Sequence, residues 1–240
     1  MNLNPAVDIF LMARDHASRD DTEADSPTSS AASVYLCLRH EILSCELMPG
    51  TAFQERQLAE RFNVSKSPVR DALIKLQEQN LVEVMPRKGY RVTRVSLSDA
   101  RDLYEMRHIL EREAVIRIID TASDETLSGL DRFRDGPADG PRPDWIAYNR
   151  AFHCFVLDRC GNARLARSGI ETIELFDRMT HVSVSHNARP RLVDRLAEHG
   201  AIIDAIQARD RRRAVALTRD HIEGSCQRLM EALENASVVP

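Results

Sequence analysis

The chain has 240 residues, 43% hydrophobic and 29% charged, with 9 Gly, 10 Pro and a single Trp. That is enough apolar material for one large core or two modest ones, and it excludes a chain disordered throughout. Apolar runs such as Ile9 to Met12 fall far short of the roughly 18 to 20 residues a bilayer span needs. Asp8 and Asp15 flank that run and no small-residue cleavage site follows it, so it does not read as a secretory signal. A cytoplasmic protein with no membrane partner is expected. The five cysteines, Cys37, Cys45, Cys154, Cys160 and Cys226, are scattered and never spaced C-x-x-C, which argues for reduced thiols over a disulfide framework or zinc knuckle. A net charge of −4 gives no sign of a nucleic-acid partner, but an average can hide a local excess.

Taken in chain order, residues 1 to 33 hold two basic groups against six acidic ones and end in a Ser/Thr/Ala stretch, the composition of a solvated, flexible tail. From Val34 to Val95 there are ten Lys and Arg against seven Asp and Glu, so this segment is basic while the remainder is acidic. Val34, Leu38 and Ile42 repeat at helical spacing before the stop at Met48-Pro49-Gly50. A second helix over Glu55 to Phe62 carries Leu58, Ala59 and Phe62 on one face, and Asn63 can end it in the left-handed conformation. Ser65 offers an N-cap to a third helix, with Pro68 tolerated in its first turn and Val69, Ala72, Leu73 and Leu76 forming the apolar stripe. Leu81 to Met85 and Tyr90 to Thr93 read as two strands joined by Pro86-Arg87-Lys88-Gly89. Helix, helix, turn, helix, hairpin over 34–95 is a winged helix-turn-helix pattern.

From Ser96 onward the period is helical. Ser98 is expected to cap a long helix through Ile118. Shorter or equal pieces follow over Asp124 to Phe133, Asp144 to Cys160, Asn162 to His186, Pro190 to Ala208 and Asp210 to Leu233, with a loop at Gly136 to Pro143. Six helices without a strand signal over 96–235 predict an antiparallel six-helix bundle, so the chain as a whole is mainly α.

A helix-turn-helix sets the start of its second helix in the major groove. The stripe at 69, 72, 73 and 76 leaves Lys66, Ser67 and Arg70 on the other side, with Arg70 suited to bidentate contact with guanine. Ser65 and the helix N-terminus favour a phosphate, Arg56 can clamp the backbone, and Arg87, Lys88 and Gly89 make a basic wing tip of the kind that enters a minor groove. The run Pro49-Gly50, Glu55, Leu58-Ala59-Glu60, Val64 to Leu73, Leu76, Leu81-Val82, Pro86 and Gly89 resembles the DNA-binding domain of the GntR transcriptional regulators. That family usually has Arg and Thr where this chain has Lys66 and Ser67, which keeps the charge and loses the guanidinium fork. The resemblance implies a regulator that binds a short palindromic operator on double-stranded DNA as a homodimer.

In the bundle, Asn149 and His153 sit at i, i+4, His199 lies on the stripe Leu192, Leu196, Ile203 and Ile206, and His221 lies on that of Ala214 and Leu217. Three inward histidines on three helices suit either hydrogen-bonded core residues or metal ligands, since each buried imidazole needs a partner. Glu198, about 100° round the helix from His199, is expected to project outward. Trp145 reads as a packing residue, with an effector platform as the other reading; His108, His181 and His186 have no spacing partner.

Asn149-x-x-Phe152-His153, Gly161-Asn162, Glu198-His199, His221, and Arg107 with Glu111, resemble the ligand-binding FCD domain of the FadR-like branch of these regulators, and six helices point to its VanR-like subgroup. The resemblance implies a divalent metal held by Asn149, His153, His199 and His221, with the usual Asp replaced by Asn149. Loss of that negative charge favours zinc, or nickel, over manganese. A small organic acid would complete the coordination, with Arg107 as its counter-charge, in a protein most simply read as a repressor. A purely structural metal is the alternative. A hydrolase would need a carboxylate base beside the metal, as in H-E-x-x-H, and no such motif occurs, so the chain is not expected to be an enzyme.

Overall fold

The computed structural model describes residues 27–137, 142–186 and 192–235. The acidic tail up to residue 26, the middle of the loop at 136–143 and the helix break at Asn187 to Pro190 lie outside the described residues.

Helix α1 (Pro27–Leu43) begins inside the stretch expected as tail, because Ala31 and Ala32 favour a helix and Ala31 is already buried. Val34, Leu38 and Ile42 of α1 pack on Val69, Ala72, Leu73 and Leu76 of α3 (Lys66–Glu78). Between them α2 (Glu55–Phe62) ends at Asn63, whose φ of 52° is the left-handed cap that asparagine tolerates. Strands β2 (Val82–Met85) and β3 (Gly89–Val92) pair antiparallel with Val82 opposite Val92. A two-residue strand, β1 (Ala52–Phe53), adds to the far side of β3, so the sheet order is β1-β3-β2. Gly89 has φ of 94°, and a Cβ there would lie 2.5 Å from the Phe53 carbonyl oxygen. Glycine is therefore what lets β1 close on the wing.

The winged domain leads into α4 (Leu97–Thr121). Its cap is Ser96, whose hydroxyl accepts from the Asp99 N–H at 3.1 Å, and not Ser98, whose hydroxyl lies 3.0 Å from that of Ser96. Ser96 is the last residue with extended backbone, the geometry an N-cap requires. Then come α5 (Asp124–Ser128) with a 3₁₀ turn at Gly129–Phe133, α6 (Arg142–Asp158), α7 (Ala163–His186), α8 (Leu192–Gln207) and α9 (Arg211–Asn235). Phe133, Phe152, Phe155, Leu157, Ile173 and Ile203 are central to the bundle core. No described helix is long and apolar enough to cross a membrane.

Helix α7 joins the two parts. Leu175 packs against the core of the winged domain, and Glu174 pairs with Arg39 of α1 at 2.6 Å. The Arg178 guanidinium donates to the Thr93 carbonyl beyond the wing, and the Cys45 thiol donates to the Arg178 carbonyl at 3.5 Å. Phe176, one residue on from Leu175, faces the bundle and lies under Arg107, whose Cζ is 4.8 Å from the ring centroid.

Candidate nucleic-acid face and three-histidine site

Lys66, Ser67 and Arg70 are all exposed on the first turns of α3, opposite its buried stripe. Ser65 occupies the N-cap position, but its hydroxyl makes no capping bond. Arg70 is aimed by Glu55 at the start of α2: its Nη2 and Nε donate to the two carboxylate oxygens at 2.9 and 3.3 Å. The Tyr90 hydroxyl of β3 donates to the same carboxylate at 3.2 Å. The Arg70 hydrogen bond is the main reason the Glu55 pKa is lowered. Glu55 and Tyr90 therefore tie α3 to α2 and the wing, a role that the sequence pattern leaves unassigned because their partners lie 15 and 35 residues away. Arg56 is exposed and paired with Glu60 at 2.8 Å. Arg87 and Lys88 are exposed at the wing tip. Arg87 has φ of 64°, a conformation that costs a non-glycine residue about 1 to 2 kcal/mol.

The bundle brings His153 of α6, His199 of α8 and His221 of α9 together: one ring nitrogen from each lies within 4.8 Å of the other two. All three are buried. His221 Nε2 stands 3.3 Å from His199 Nε2 and 3.3 Å from His153 Nε2. Two of the rings, His153 and His221, have a carboxylate behind them. His153 Nδ1–H donates to Glu111 at 2.5 Å, and His221 Nδ1–H donates to Glu198 at 2.6 Å. Burial raises the Glu111 pKa, but the charges of Arg107 and His153 and their hydrogen bonds outweigh it and bring the value down to about 2. Glu198 is lowered chiefly by its hydrogen bond from His221. Burial pushes the imidazoles down, His221 to about 4 and His153 despite Glu111, so all are neutral at pH 7. His199 is lowered by burial and then by its two imidazole neighbours.

These tautomers have a chemical consequence. With both protons on Nδ1, His153 and His221 each present an unprotonated Nε2, the two 3.3 Å apart, with Arg107 donating to that of His153 at 2.9 Å and His199 Nε2 lying 3.3 Å from that of His221. Two acceptors at that distance repel; the Arg107 guanidinium lessens this repulsion at His153, and a metal ion between the two nitrogens would remove it. Nitrogens about 2.0 to 2.1 Å from a tetrahedral zinc stand about 3.3 Å apart, and a carboxylate behind each imidazole is the usual support of a metal-bound histidine. The donor set therefore fits a borderline divalent ion.

Glu198 corrects the expectation from helix angle. Its side chain is 34% exposed, yet it reaches the His221 ring because α9 packs alongside α8. Asn149, one turn before His153, is half-buried and takes part in none of the cluster's hydrogen bonds among the described residues. Arg107 is at the cluster, 1% exposed, donating to His153 Nε2 at 2.9 Å and to Glu111 at 2.5 Å. Its charge is thus already matched by Glu111. Trp145 is buried with its ring parallel to His199, centroids 6.2 Å apart. His108 lies beside Tyr104, and burial lowers the pKa of the half-buried His181.

Comparison with known proteins follows the same division. Residues 30–92 match the profile of the bacterial regulatory proteins of the gntR family, and residues 102–224 match the FCD domain. The HTH-type transcriptional repressor RspR of Escherichia coli (strain K12) is 30% identical over 182 residues, covering 74% of this chain and 78% of that protein. The uncharacterized HTH-type transcriptional regulator YdhC of Bacillus subtilis (strain 168) is 28% identical over 90% of this chain and 97% of its own length. The solved structure of E. coli McbR/YncC has the same fold, with a TM-score of 0.74 at 20% identity, covering 85% of this chain and 98% of that one.

Proposed function

The chain belongs to the gntR family of bacterial regulatory proteins, a DNA-binding transcriptional regulator with an FCD domain, and from that premise we propose that it is a cytoplasmic repressor of the FadR-like, VanR-like type that senses a small carboxylate at a metal held in the bundle. The converging ring nitrogens of His153, His199 and His221, two of the rings anchored from behind by a carboxylate, carry the metal half of this reading. His153, His199 and His221 would hold zinc, with Asn149 as a neutral fourth donor. The metal would supply a Lewis-acidic point to which one carboxylate of the effector binds.

On the DNA side the chain acts as a homodimer on a palindromic operator, each protomer offering one half-site reader. Arg70, Lys66 and Ser67 read bases, while Ser65, Arg56, Arg87, Lys88 and Gly89 follow the backbone and the minor groove. Effector binding shifts the population toward an arrangement of the two readers that no longer matches half-site spacing. The route from site to reader is supported by α7, whose Phe176 supports Arg107 while its neighbours Glu174, Leu175 and Arg178 grip the winged domain.

The full chain purified with zinc should retain about one ion per protomer, His199→Ala should retain none, and zinc-loaded protein should lose operator affinity in the presence of hydroxy or keto acids. Full occupancy in His199→Ala removes that residue from the ligand set. The near-complete burial of the three histidines also suits a purely structural metal, and DNA binding indifferent to every acid in the panel would establish that reading instead.

A further inference from the structure

Four buried side-chain polar atoms have no hydrogen-bond partner among the described residues: Trp145 Nε1, His199 Nδ1, Thr218 Oγ1 and Arg178 Nε. The first two belong to rings stacked on each other in the three-histidine site, and Thr218 lies one turn before His221 on α9. A buried N–H left unbonded costs about 1 to 3 kcal/mol, so the Trp145 indole N–H, on a ring parallel to His199, is a donor that a ligand at this site would satisfy.

The charges around it are unequal in the same sense. Arg107 is paired with Glu111 at 2.5 Å. Glu198 is engaged by His221 at 2.6 Å and by Arg228 at 3.9 Å. Arg195, one turn before His199 on α8, is half-buried with its guanidinium 6.0 Å over the Trp145 ring. Among the described residues no carboxylate lies within ion-pair distance of it. Burial and the Arg228 charge, opposed by Glu198 and joined by Arg107, lower its pKa to about 10, which still leaves it charged at pH 7. Among the described residues, a cation with no ion-pair partner therefore lies over the ring whose indole N–H is unbonded.

We propose that Arg195 and Trp145 form a second anion subsite, so that the effector is a compact dicarboxylate, one carboxylate directed to the metal and the other accepting from the Arg195 guanidinium and the Trp145 indole N–H. This inference rests on the sensing role proposed above and adds the class of acid sensed. A monocarboxylate would leave both donors unmatched, and charge-assisted bonds of this kind separate the two classes by about tenfold to a hundredfold.

The test uses the zinc-loaded full chain and two matched pairs of probes, malonate with acetate and malate with lactate, followed by calorimetry. Trp145 is the only tryptophan, so its emission reports the same subsite. Each dicarboxylate should bind at least about tenfold more tightly than its partner acid and change the emission. Arg195→Leu should erase that preference while leaving lactate and zinc affinity unchanged, and Trp145→Phe, which keeps the ring and removes the N–H, should reduce it several-fold by calorimetry. If acids bind but neither dicarboxylate outbinds its partner, or if both variants weaken malate and lactate in parallel, the second subsite is overturned and sensing stands. If no probe binds zinc-loaded wild-type protein, the sensing role falls and this inference with it.

Discussion

Replacing Glu198 with glutamine isolates the charge behind one imidazole. Glutamine keeps an oxygen able to accept the His221 Nδ1–H, so ring orientation survives while the negative charge is removed. The bond in question is 2.6 Å long, but the Glu198 side chain is 34% exposed, so solvent screens part of its effect. Loss of an outer-shell partner costs about 10- to 100-fold in metal affinity, or roughly 1.4 to 2.7 kcal/mol, and the exposure places Glu198→Gln near the lower end. Glu198→Ala removes orientation as well and should fall near the upper end. Glu111 is a poorer target, since its removal would leave the buried Arg107 without its partner. Zinc affinity is read by competition with a chromophoric chelator at neutral pH, with thermal melting of the metal-free protein as control. A partly exposed pair contributes at most about 1 kcal/mol, so the metal-free Tm should move by no more than about 4 °C. Wild-type zinc affinity in Glu198→Gln would refute the contribution assigned to the Glu198 charge, and wild-type affinity in Glu198→Ala as well would refute its support of His221 as a ligand.

Other expectations follow from the same structure. Arg70→Ala should lower affinity for a selected operator by about fivefold to a hundredfold and relax preference at one base position, with unchanged selected sequences counting against its base contact. Asn149→Asp should tighten zinc binding by adding a negative donor, and an unaltered affinity in the chelator competition would show that residue 149 does not face the ion. Burial, only partly offset by Arg150 at 2.7 Å, raises the Asp177 pKa from 3.8 to about 6. The native state therefore holds this proton more tightly than the unfolded chain, a contribution complete below about pH 4 and lost as the pH rises through about 6. Asp177→Asn should gain stability relative to wild type over that interval in urea denaturation, and a pH-independent difference would contradict the shift.

Long apolar periods carried most of the fold. The stripe at Val69, Ala72, Leu73 and Leu76 and the inward histidines are legible because burial of one helix face imposes its spacing on the sequence. Strand β1 was not, since two residues cannot display a period and its partner β3 is far along the chain. The contact of Glu198 with His221 is not legible in the sequence, because the angle of Glu198 on α8 says nothing of where α9 presents His221. Glu55 and Arg195 carry no periodic signal: one contacts a residue on another helix, and the other lies over the ring of Trp145, which is distant in sequence. The start of α1 at Pro27 was hidden by a composition shared by solvated tails and helix termini.

Helix α7 contributes Ile173 to the bundle core, Leu175 to the winged-domain core, and Phe176, Met179 and Val182 to a third cluster that includes Val95 and Leu229. Successive residues of one rigid rod thus belong to different cores, and a single-residue insertion in it would turn its faces by about 100° and misplace all three. This limits how such a regulator can be recombined. A chimera that joins this reader to another sensor must bring with it compatible residues at Arg39, Cys45 and Thr93 for whatever replaces Glu174, Leu175 and Arg178. The covalent linker before α4 is therefore the wrong boundary for such an exchange; the unit that must travel intact is the reader together with the α7 surface on which it sits.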